Sequence, residues 1–221
     1  MRIALLGGTG DIGKGLALRW GRDTDHGIVL GSRDPEKARS AADEYEATLA
    51  SRGVEAKITG FVNEMAADRA DVAVLAVPAY HLTDTIEAVA AKLDDTVLVT
   101  PAVGMKRDEE GFHYNPPPGG SVSSLAVDAA PDDVPVVGAF HNLAAGGLTD
   151  LDTEFDWDTP VFGDDEDAKA TVMRLADEIE GLRPLDVGGL ANASEVEALT
   201  PLLINLASQN DGLHDLGVKF W

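Results

Sequence analysis

A glycine-rich loop near the amino terminus is the first part of the chain with a recognisable chemistry. Residues 7–13 read Gly-Gly-Thr-Gly-Asp-Ile-Gly, so the pattern G-x-G-x-x-G runs from Gly8 to Gly13, directly after an apolar segment. In such a loop Gly8 permits the turn, Gly10 lets backbone N–H groups approach a pyrophosphate, and Gly13 lets the next helix pack closely on the strand. The helix N-terminus adds partial positive charge where the phosphates bind. We expect a dinucleotide site here; the alternative is a simple tight turn.

The residues after the second predicted strand indicate which dinucleotide is bound. Enzymes that use NAD usually carry Asp or Glu about 20 residues beyond the glycine motif, whereas this chain reads Gly-Ser-Arg-Asp-Pro-Glu-Lys over residues 31–37. Arg33 can stack on adenine and contact a 2′-phosphate, and Ser32 can donate its hydroxyl. Asp34 is predicted to cap a helix that begins with Pro35, which places Lys37 beside the same phosphate. The cluster favours NADP; the alternative is that Arg33 and Lys37 are ordinary solvated side chains.

Alternating apolar runs and helical patterns must position these residues. They indicate an α/β protein with a Rossmann-type, doubly wound, mainly parallel sheet and a small C-terminal α/β segment. Strands are predicted over residues 2–6, 27–30, 56–58, 72–75, 96–99 and 134–139, and helices over residues 11–20, 35–51, 63–69, 81–92 and 121–130. Residues 101–120 are expected to form a loop rich in Pro and Gly.

The sequence changes character after Phe140, where a loop of small residues precedes an acidic stretch. Beyond an apolar segment at residues 161–163, we expect a helix over residues 166–180, a strand over residues 183–187 and a long helix over about residues 194–214, which Thr200-Pro201 either starts or kinks. The chain is thereby divided into an NADP-binding domain, residues 1–145, and a small C-terminal domain, residues 146–221, packed on it like a lid.

The composition argues against several classes of function. With 17 Lys and Arg against 39 Asp and Glu, the formal charge is −22, which disfavours a protein that tracks nucleic-acid phosphates. The chain has no cysteine, and therefore no disulfide, thiolate metal site or catalytic thiol. Its apolar runs are too short to cross a bilayer, and we expect a cytoplasmic protein. The acidic excess indicates either an ordinary acidic surface or, as we favour, adaptation to molar salt.

Residue spacing gives no sign of acid–base or metal chemistry. A catalytic triad, a paired-histidine metal site and a Lys–Tyr dehydrogenase pair are all missing, so we predict no catalytic residue and no metal site. The acidic run at residues 164–167 is interpreted as a solvated helix start. The apolar face of the last helix either packs in the core or forms a surface for a partner; its residues are Leu199, Leu202, Leu203 and Leu206.

Longer segments resemble one family closely. The segments MRIALLGGTGDIGKGLALR, VLGSR, FDWDTPVFGDD, EIEGLRPLDVGGLANA, VEALTPLLINLA and LGVKFW are similar to archaeal NADP oxidoreductases dependent on coenzyme F420, a 5-deazaflavin. The resemblance covers almost the whole chain and is far more specific than the glycine motif. It implies reversible hydride transfer between C5 of reduced coenzyme F420 and C4 of the nicotinamide of NADP⁺, with the C-terminal domain helping to bind the deazaflavin. It also supports a homodimer and, with the acidic composition, a haloarchaeal member.

The resemblance further implies which residues bind the cofactors. NADP contacts are expected at Thr9, Gly10, Asp11 and Ile12 (pyrophosphate), at Ser32, Arg33 and Lys37 (2′-phosphate), at Val77, Pro78, Ala79 and His81 (nicotinamide ribose), and at Val103, Met105 and Ala145 (nicotinamide). The deazaflavin is expected across His141, Asn142 and Leu143, the turn at Asn192 and Ser194, and Leu216. At Asn142-Leu143-Ala144 the chain departs from the family, in which a Thr-Ile-Pro-like turn is usual.

The implied chemistry needs orientation more than acid–base groups. Hydride transfer requires two stacked rings at a separation of about 3–3.5 Å with water excluded. Small residues at 144–147 leave room for a flat ring or form an ordinary turn, His141 either hydrogen-bonds the deazaflavin or is structural, and His81 equally suits a helix start. Two other functions stay open: an NADP-dependent reductase of a small carbonyl or imine, and a non-catalytic NADP-binding sensor.

Overall fold

Ten strands and nine α-helices make up the computed structural model, which describes residues 1–221. The strands are β1 (Arg2–Leu6), β2 (Gly27–Ser32), β3 (Lys57–Val62), β4 (Val72–Leu75), β5 (Val97–Thr100), β6 (Met105–Asp108), β7 (Gly111–Tyr114), β8 (Val136–Gly138), β9 (Trp157–Val161) and β10 (Leu182–Asp186). The helices are α1 (Asp11–Asp23), α2 (Pro35–Ala50), α3 (Asn63–Ala67), α4 (Leu82–Val89), α5 (Val122–Ala129), α6 (Ala145–Thr149), α7 (Glu166–Asp177), α8 (Ala193–Glu197) and α9 (Leu199–Gln209). Short 3₁₀ turns flank α4 and precede α8.

The central sheet has six parallel strands in the order β3-β2-β1-β4-β5-β8. Alternate residues of β1 pack on opposite faces: Ile3 and Leu5 join one buried cluster, and Ala4 and Leu6 join the other. A strand buried on both faces reads as a continuous apolar run, which is why β1 and β4 were recognisable in the sequence. The strand order reverses between β1 and β4, and ligands of such sheets bind beyond the carboxyl ends of the strands at that point.

Each helix that follows a strand runs back from the carboxyl ends of the strands, which we call the carboxyl edge of the sheet, to their amino ends, the amino edge. Helix α2 begins at the carboxyl edge, where the Asp34 side chain accepts hydrogen bonds from the backbone N–H groups of Glu36 (3.0 Å) and Lys37 (3.4 Å). Pro35 occupies its first turn, as predicted. The helix ends at the amino edge, where Ser51 is its exposed C-cap. The carboxyl edge therefore carries the helix N-termini.

The C-terminal segment packs directly on the Rossmann sheet. Strands β9 and β10 form a parallel pair, joined to the edge strand β8 by an antiparallel bridge between Gly138 and Phe162. The buried Arg19 guanidinium on α1 donates to the carbonyl oxygens of Gly147 (2.8 Å), Leu148 (3.0 Å) and Asp150 (2.7 Å). One buried apolar cluster contains residues from both sides of residue 145. The division into two domains at this residue stays a prediction.

The structure differs from the sequence prediction at several places. Strands β6 and β7 pair as an antiparallel hairpin inside the expected loop at residues 101–120, and α6 forms in the loop of small residues. The expected long helix is divided into α8 and α9 and ends at Gln209. Pro201 has no N–H to donate to the carbonyl of Glu197, so it fits the first turn of a new helix better than the middle of a continuous one. None of the helices combines the length and the apolar composition that spanning a bilayer requires.

Candidate functional site

Three depressions adjoin one another beyond the carboxyl edge of the sheet. The first, which we call the polar cleft, has a volume of about 860 Å³ and lies at the β1–β4 switch point. Its lining residues are Gly7, Thr9, Gly10, Ser32, Arg33, Asp34, Lys37, Val62, Asn63, Glu64, Ala76, Pro78, His81, Asp84, Thr85 and Ala88. The structure thus brings most of the expected pyrophosphate and 2′-phosphate residues to one cleft. Asp11 is exposed in the first turn of α1 and does not line it.

The glycine loop has the close approaches that the motif requires, with one correction. The left-handed residue is Gly7 (φ +78°), not Gly8, which instead approaches the backbone oxygen of Leu5. A Cβ on Gly13 would lie 2.6 Å from the Cα of Gly8, so this glycine does let α1 pack on the loop. A Cβ on Gly10 would meet no protein atom nearer than 3.6 Å. The open space above Gly10, at the N-terminus of α1 that no side chain caps, fits a bound phosphate group.

The two cations at the end of β2 have no acidic partner. Arg33 and Lys37 are exposed and line the polar cleft, and neither takes part in an ion pair, whereas the neighbouring Arg39 pairs with Glu36. Ser32 is buried and its hydroxyl accepts a hydrogen bond from the Asp34 backbone N–H at 3.1 Å. This hydroxyl keeps its own proton available as a donor. A dianionic phosphate placed here would gain two charge-assisted contacts.

The second depression, the apolar cavity, has a volume of about 480 Å³, and 11 of its 17 lining residues are hydrophobic. The lining residues are Ile12, Pro101, Val103, Met105, Phe140, His141, Asn142, Leu143, Ala144, Ala145, Gly146, Thr200, Leu203, Ile204, Ala207, Asp215 and Leu216. Most of the expected nicotinamide and deazaflavin residues therefore lie around one cavity. Ile12 belongs to the first turn of α1, so the cavity begins where the glycine loop leaves the polar cleft.

The third depression, the hairpin cleft, lies between the β4–α4 connection and the β6–β7 hairpin. It has a volume of about 630 Å³ and includes Val77, Pro78 and Ala79 among its lining residues. It shares Val103 and Met105 with the apolar cavity and Pro78 with the polar cleft. Three of the four expected ribose residues therefore line the depression that adjoins the other two, and the fourth, His81, lines the polar cleft.

Among the polar side chains that line the apolar cavity, His141 is unusual because both of its ring nitrogens are buried without a hydrogen-bond partner. The residue is 4% exposed, and its ring stacks on Phe162 with centroids 5.4 Å apart. Burial lowers its pKa to about 3, so the imidazole is neutral near pH 7. Its backbone oxygen accepts a hydrogen bond from the Thr200 hydroxyl at 2.7 Å. Helix α9 therefore holds the loop that lines the cavity.

Comparison with known proteins identifies the family to which the chain belongs. Residues 2–104 match the family model described as NADP oxidoreductase coenzyme F420-dependent. The chain is 40% identical to the F420-dependent NADP reductase of Methanocaldococcus jannaschii, over 93% of this chain and 92% of that protein. It is 38% identical to the F420-dependent NADP reductase of Methanothermobacter marburgensis, over 95% of this chain and 94% of that protein. The chain belongs to the F420-dependent NADP reductase family. The resemblance that we stated from the sequence is confirmed.

Solved structures agree with the Rossmann-type fold of this family member. A structure described as a candidate F420-dependent NADP reductase from Arthrobacter sp. FB24 has a TM-score of 0.77, with 24% identity over 95% of this chain and 94% of that chain. A pyrroline-5-carboxylate reductase from Coxiella burnetii has a TM-score of 0.59, with 19% identity over 96% of this chain and 72% of that chain. These likenesses concern the fold, and the predicted fold class is confirmed.

Two expected deazaflavin residues lie away from the cavity, and several lining residues were missed. Asn192 and Ser194 line none of the three depressions; the Asn192 amide donates to the Val187 carbonyl, and the Ser194 hydroxyl donates to Glu195. The missed residues are Pro101 and Phe140, four residues of α9 (Thr200, Leu203, Ile204 and Ala207), and Asp215. The apolar face of α9 was visible in the sequence, but its spacing does not reveal that part of it lines a cavity.

Proposed function

We propose that the chain transfers a hydride reversibly between reduced coenzyme F420 and NADP⁺. The observation that carries the proposal is the continuity of the site: the glycine loop lines the polar cleft, and Ile12, two residues after Gly10, lines the apolar cavity. A dinucleotide bound along the loop would pass from one to the other. Family membership supports the same reaction, since the relatives above are named F420-dependent NADP reductases.

NADP fits the polar cleft by charge and by space. The uncapped N-terminus of α1 would hold the pyrophosphate at Thr9, Gly10, Asp11 and Ile12. Arg33, Lys37 and the Ser32 hydroxyl would hold the 2′-phosphate. The β4–α4 connection, with Val77, Pro78, Ala79 and His81, would border the nicotinamide ribose. Val103, Met105 and Ala145 would then border the nicotinamide.

A second flat ring fits the apolar cavity. Reduced coenzyme F420 supplies the hydride at its C5 position when it is bound. The chain's own residues orient the two rings and exclude water, which is the main requirement of such a transfer. The unpartnered nitrogens of the neutral His141 support a polar contact with a ligand at this wall. Leu143 and Leu216 would pack on the deazaflavin, and Asn192 and Ser194 would contact it only if their segment moved towards the cavity.

The experiment is a spectrophotometric assay with purified protein, reduced coenzyme F420 and NADP⁺ in high-salt buffer. We expect oxidised coenzyme F420 and NADPH to form in equal amounts, with NAD⁺ much less effective. NADPH-dependent reduction of a small carbonyl or imine without deazaflavin turnover would instead identify the reductase alternative. NADPH binding without any turnover would identify the sensor.

The same proposal includes the setting in which the enzyme works. The charge of −22 supports a halophilic enzyme without affinity for nucleic acid. With the archaeal relatives above, we take it to be a haloarchaeal, cytoplasmic protein. The exposed residues Leu202 (53%) and Leu206 (42%), one turn apart on α9, support a homodimer through this helix. We also propose the functional division into residues 1–145 for NADP and residues 146–221 for the deazaflavin.

A further inference from the structure

Three of the sequence segments that carry the family resemblance meet at one buried carboxylate. Asp158 on β9 is 0% exposed. Its carboxylate accepts hydrogen bonds from Arg183 Nε (2.8 Å) and Nη2 (2.7 Å) and from the Phe220 backbone N–H (2.7 Å), and it lies 3.2 Å from Lys219 Nζ. FDWDTPVFGDD contributes Asp158, EIEGLRPLDVGGLANA contributes Arg183, and LGVKFW contributes Lys219 and Phe220. None of these groups lines any of the three depressions.

The backbone of Asp158 connects the same point to the cavity loop and to the C-terminal segment. Its N–H donates to the Val218 carbonyl at 2.7 Å, and its own carbonyl accepts a hydrogen bond from the Asn142 side-chain amide at 2.8 Å. Asn142 stands between His141 and Leu143 in the loop that lines the apolar cavity. Asp158 therefore fixes two walls of the cavity without touching its interior.

The C-terminal segment that Asp158 holds forms one of these walls. Asp215 and Leu216 line the apolar cavity immediately before the anchored residues. A Cβ on Gly146 would lie 2.1 Å from Asp215 Oδ1, and a Cβ on Gly217 would lie 2.0 Å from the Trp157 ring. The path of residues 215–217 is therefore closely confined on both sides. Any loosening of residues 218–220 would be transmitted to Leu216.

We infer that Asp158 is a positioning residue for the deazaflavin side of the site: it anchors residues 218–220 so that Asp215 and Leu216 complete the apolar cavity. The inference rests on the proposed function, because it takes the second cofactor to bind in that cavity. Asp158 stays ionised, because the Arg183 hydrogen bonds lower its pKa strongly and outweigh the effect of burial. The polar cleft, which would hold the phosphates of NADP, lies outside this network, so we expect NADP binding to depend on the network much less than coenzyme F420 binding does.

The test compares three variants in the full-length enzyme. Asp158→Asn keeps the side-chain shape and removes the charge; Lys219→Met removes one cation from the C-terminal segment. Lys92→Met is the matched control, because Lys92 pairs with Asp68 and lines none of the depressions. We measure KM for both cofactors, NADPH binding by fluorescence, and amide hydrogen exchange of residues 215–221.

We expect Asp158→Asn to raise KM for coenzyme F420 about tenfold and Lys219→Met about threefold, because each weakens a largely desolvated charge contact. KM for NADP and NADPH binding should change less than about twofold, amide exchange at residues 216–220 should accelerate in both variants, and Lys92→Met should match the wild type.

Accelerated exchange with an unchanged KM for coenzyme F420, or equal losses for both cofactors, would overturn the inference. If Asp158→Asn does not melt cooperatively, Lys219→Met decides. A wild-type enzyme that does not turn over coenzyme F420 would instead overturn the proposed function, and the inference with it.

Discussion

Arg33 and Lys37 stand out among the cationic side chains because both line the polar cleft and neither takes part in an ion pair. The chain as a whole has more than twice as many acidic as basic residues. The positions of both cations follow from local rules: β2 ends at Ser32, and Asp34 and Pro35 start α2. The neighbouring Arg39 shows the contrasting arrangement, an exposed ion pair with Glu36. We therefore expect discrimination between NADP and NAD to depend on these two individual side chains.

Replacing Arg33 with Ala tests this discrimination. We expect Arg33→Ala to raise KM for NADP by about 10- to 100-fold, since a charge-assisted hydrogen bond contributes about 1.5–3 kcal/mol. KM for coenzyme F420 should stay within about twofold of the wild type. The steady-state assay with each cofactor varied in turn measures both values, and Arg39→Ala is the matched control. Equal increases for both cofactors would contradict the assignment.

The buried His141 makes the free energy of unfolding depend on pH. Its pKa is about 3 in the folded protein, below the ordinary value of 6.5, so the unfolded chain takes up a proton first as the pH falls. Stability is therefore lost progressively as the pH falls from about 6.5 towards 3, by about 2 kcal/mol at pH 5. We expect His141→Phe, which keeps the stack on Phe162, to lose less stability between pH 7.5 and pH 5. Urea unfolding of both proteins measures the difference, and identical pH dependence would contradict it.

At the scale of elements, the connection between α5, α8 and the hairpin depends on Glu197. This carboxylate is 0% exposed and accepts hydrogen bonds from the backbone N–H groups of Val122 (3.0 Å) and Ser123 (2.9 Å) and from the hydroxyls of Ser123 (2.9 Å) and Tyr114 (3.0 Å). It therefore caps α5 from a helix more than 70 residues away in sequence. Together with this contact, the Asn205 side chain bonds both backbone groups of Phe112 and fixes α9 to β7.

Replacement of Glu197 by Gln should destabilise these elements. The Gln amide NH₂ would face a backbone N–H donor, so at least one buried donor would lose its partner. We expect a loss of about 2–3 kcal/mol in the free energy of unfolding, measured by urea denaturation. Glu195→Gln, on the exposed side of the same helix, is the control and should change the value by less than about 0.5 kcal/mol. A loss as small as that of the control would contradict this role of Glu197.

These contacts also explain how much could be predicted from the sequence. The glycine loop, the Asp34 cap and the buried strand β1 depend on neighbouring residues, and the sequence indicates each of them directly. The pairing of β6 with β7 was missed because residues 105–108 are exposed and carry no alternation of apolar and polar residues. The C-terminal side of the site depends on contacts between distant residues, such as Thr200 with His141 and Asp158 with Phe220. No local pattern reports such contacts, which is why Thr200 was missed. Asn192 and Ser194 were expected at the cavity because the family resemblance implied them.

At the scale of the whole molecule, the dominant feature is the charge of −22. The basic residues cannot neutralise it, and several are already used in ion pairs, such as Arg52 with Asp152 and Lys14 with Glu44. Repulsion among the remaining carboxylates acts on the folded protein more than on the expanded chain. Dissolved salt screens this repulsion, with a Debye length of about 3 Å at 1 M.

Stability should therefore increase with salt. We expect the Tm in 2 M KCl to exceed that in 0.1 M KCl by about 5 °C or more, with activity held or increased. Differential scanning fluorimetry over a KCl series measures the Tm, and the hydride-transfer assay in the same buffers measures activity. Sucrose at matched osmolality is the control, because it does not screen charge. Inactivation above about 1 M KCl would contradict the adaptation to salt.

The amino ends of the parallel strands lie on the side of the molecule opposite to the three depressions. Every depression of the site opens beyond the carboxyl ends of the strands, whereas α2 ends at the opposite edge with the exposed Ser51. The chain contains no cysteine, so Ser51→Cys would introduce a single thiol at that edge. Coupled to a maleimide-coated support, every molecule would be tethered in one orientation with its cofactor openings facing the solution. The fold therefore lends itself to an immobilised catalyst for regenerating reduced nicotinamide cofactor.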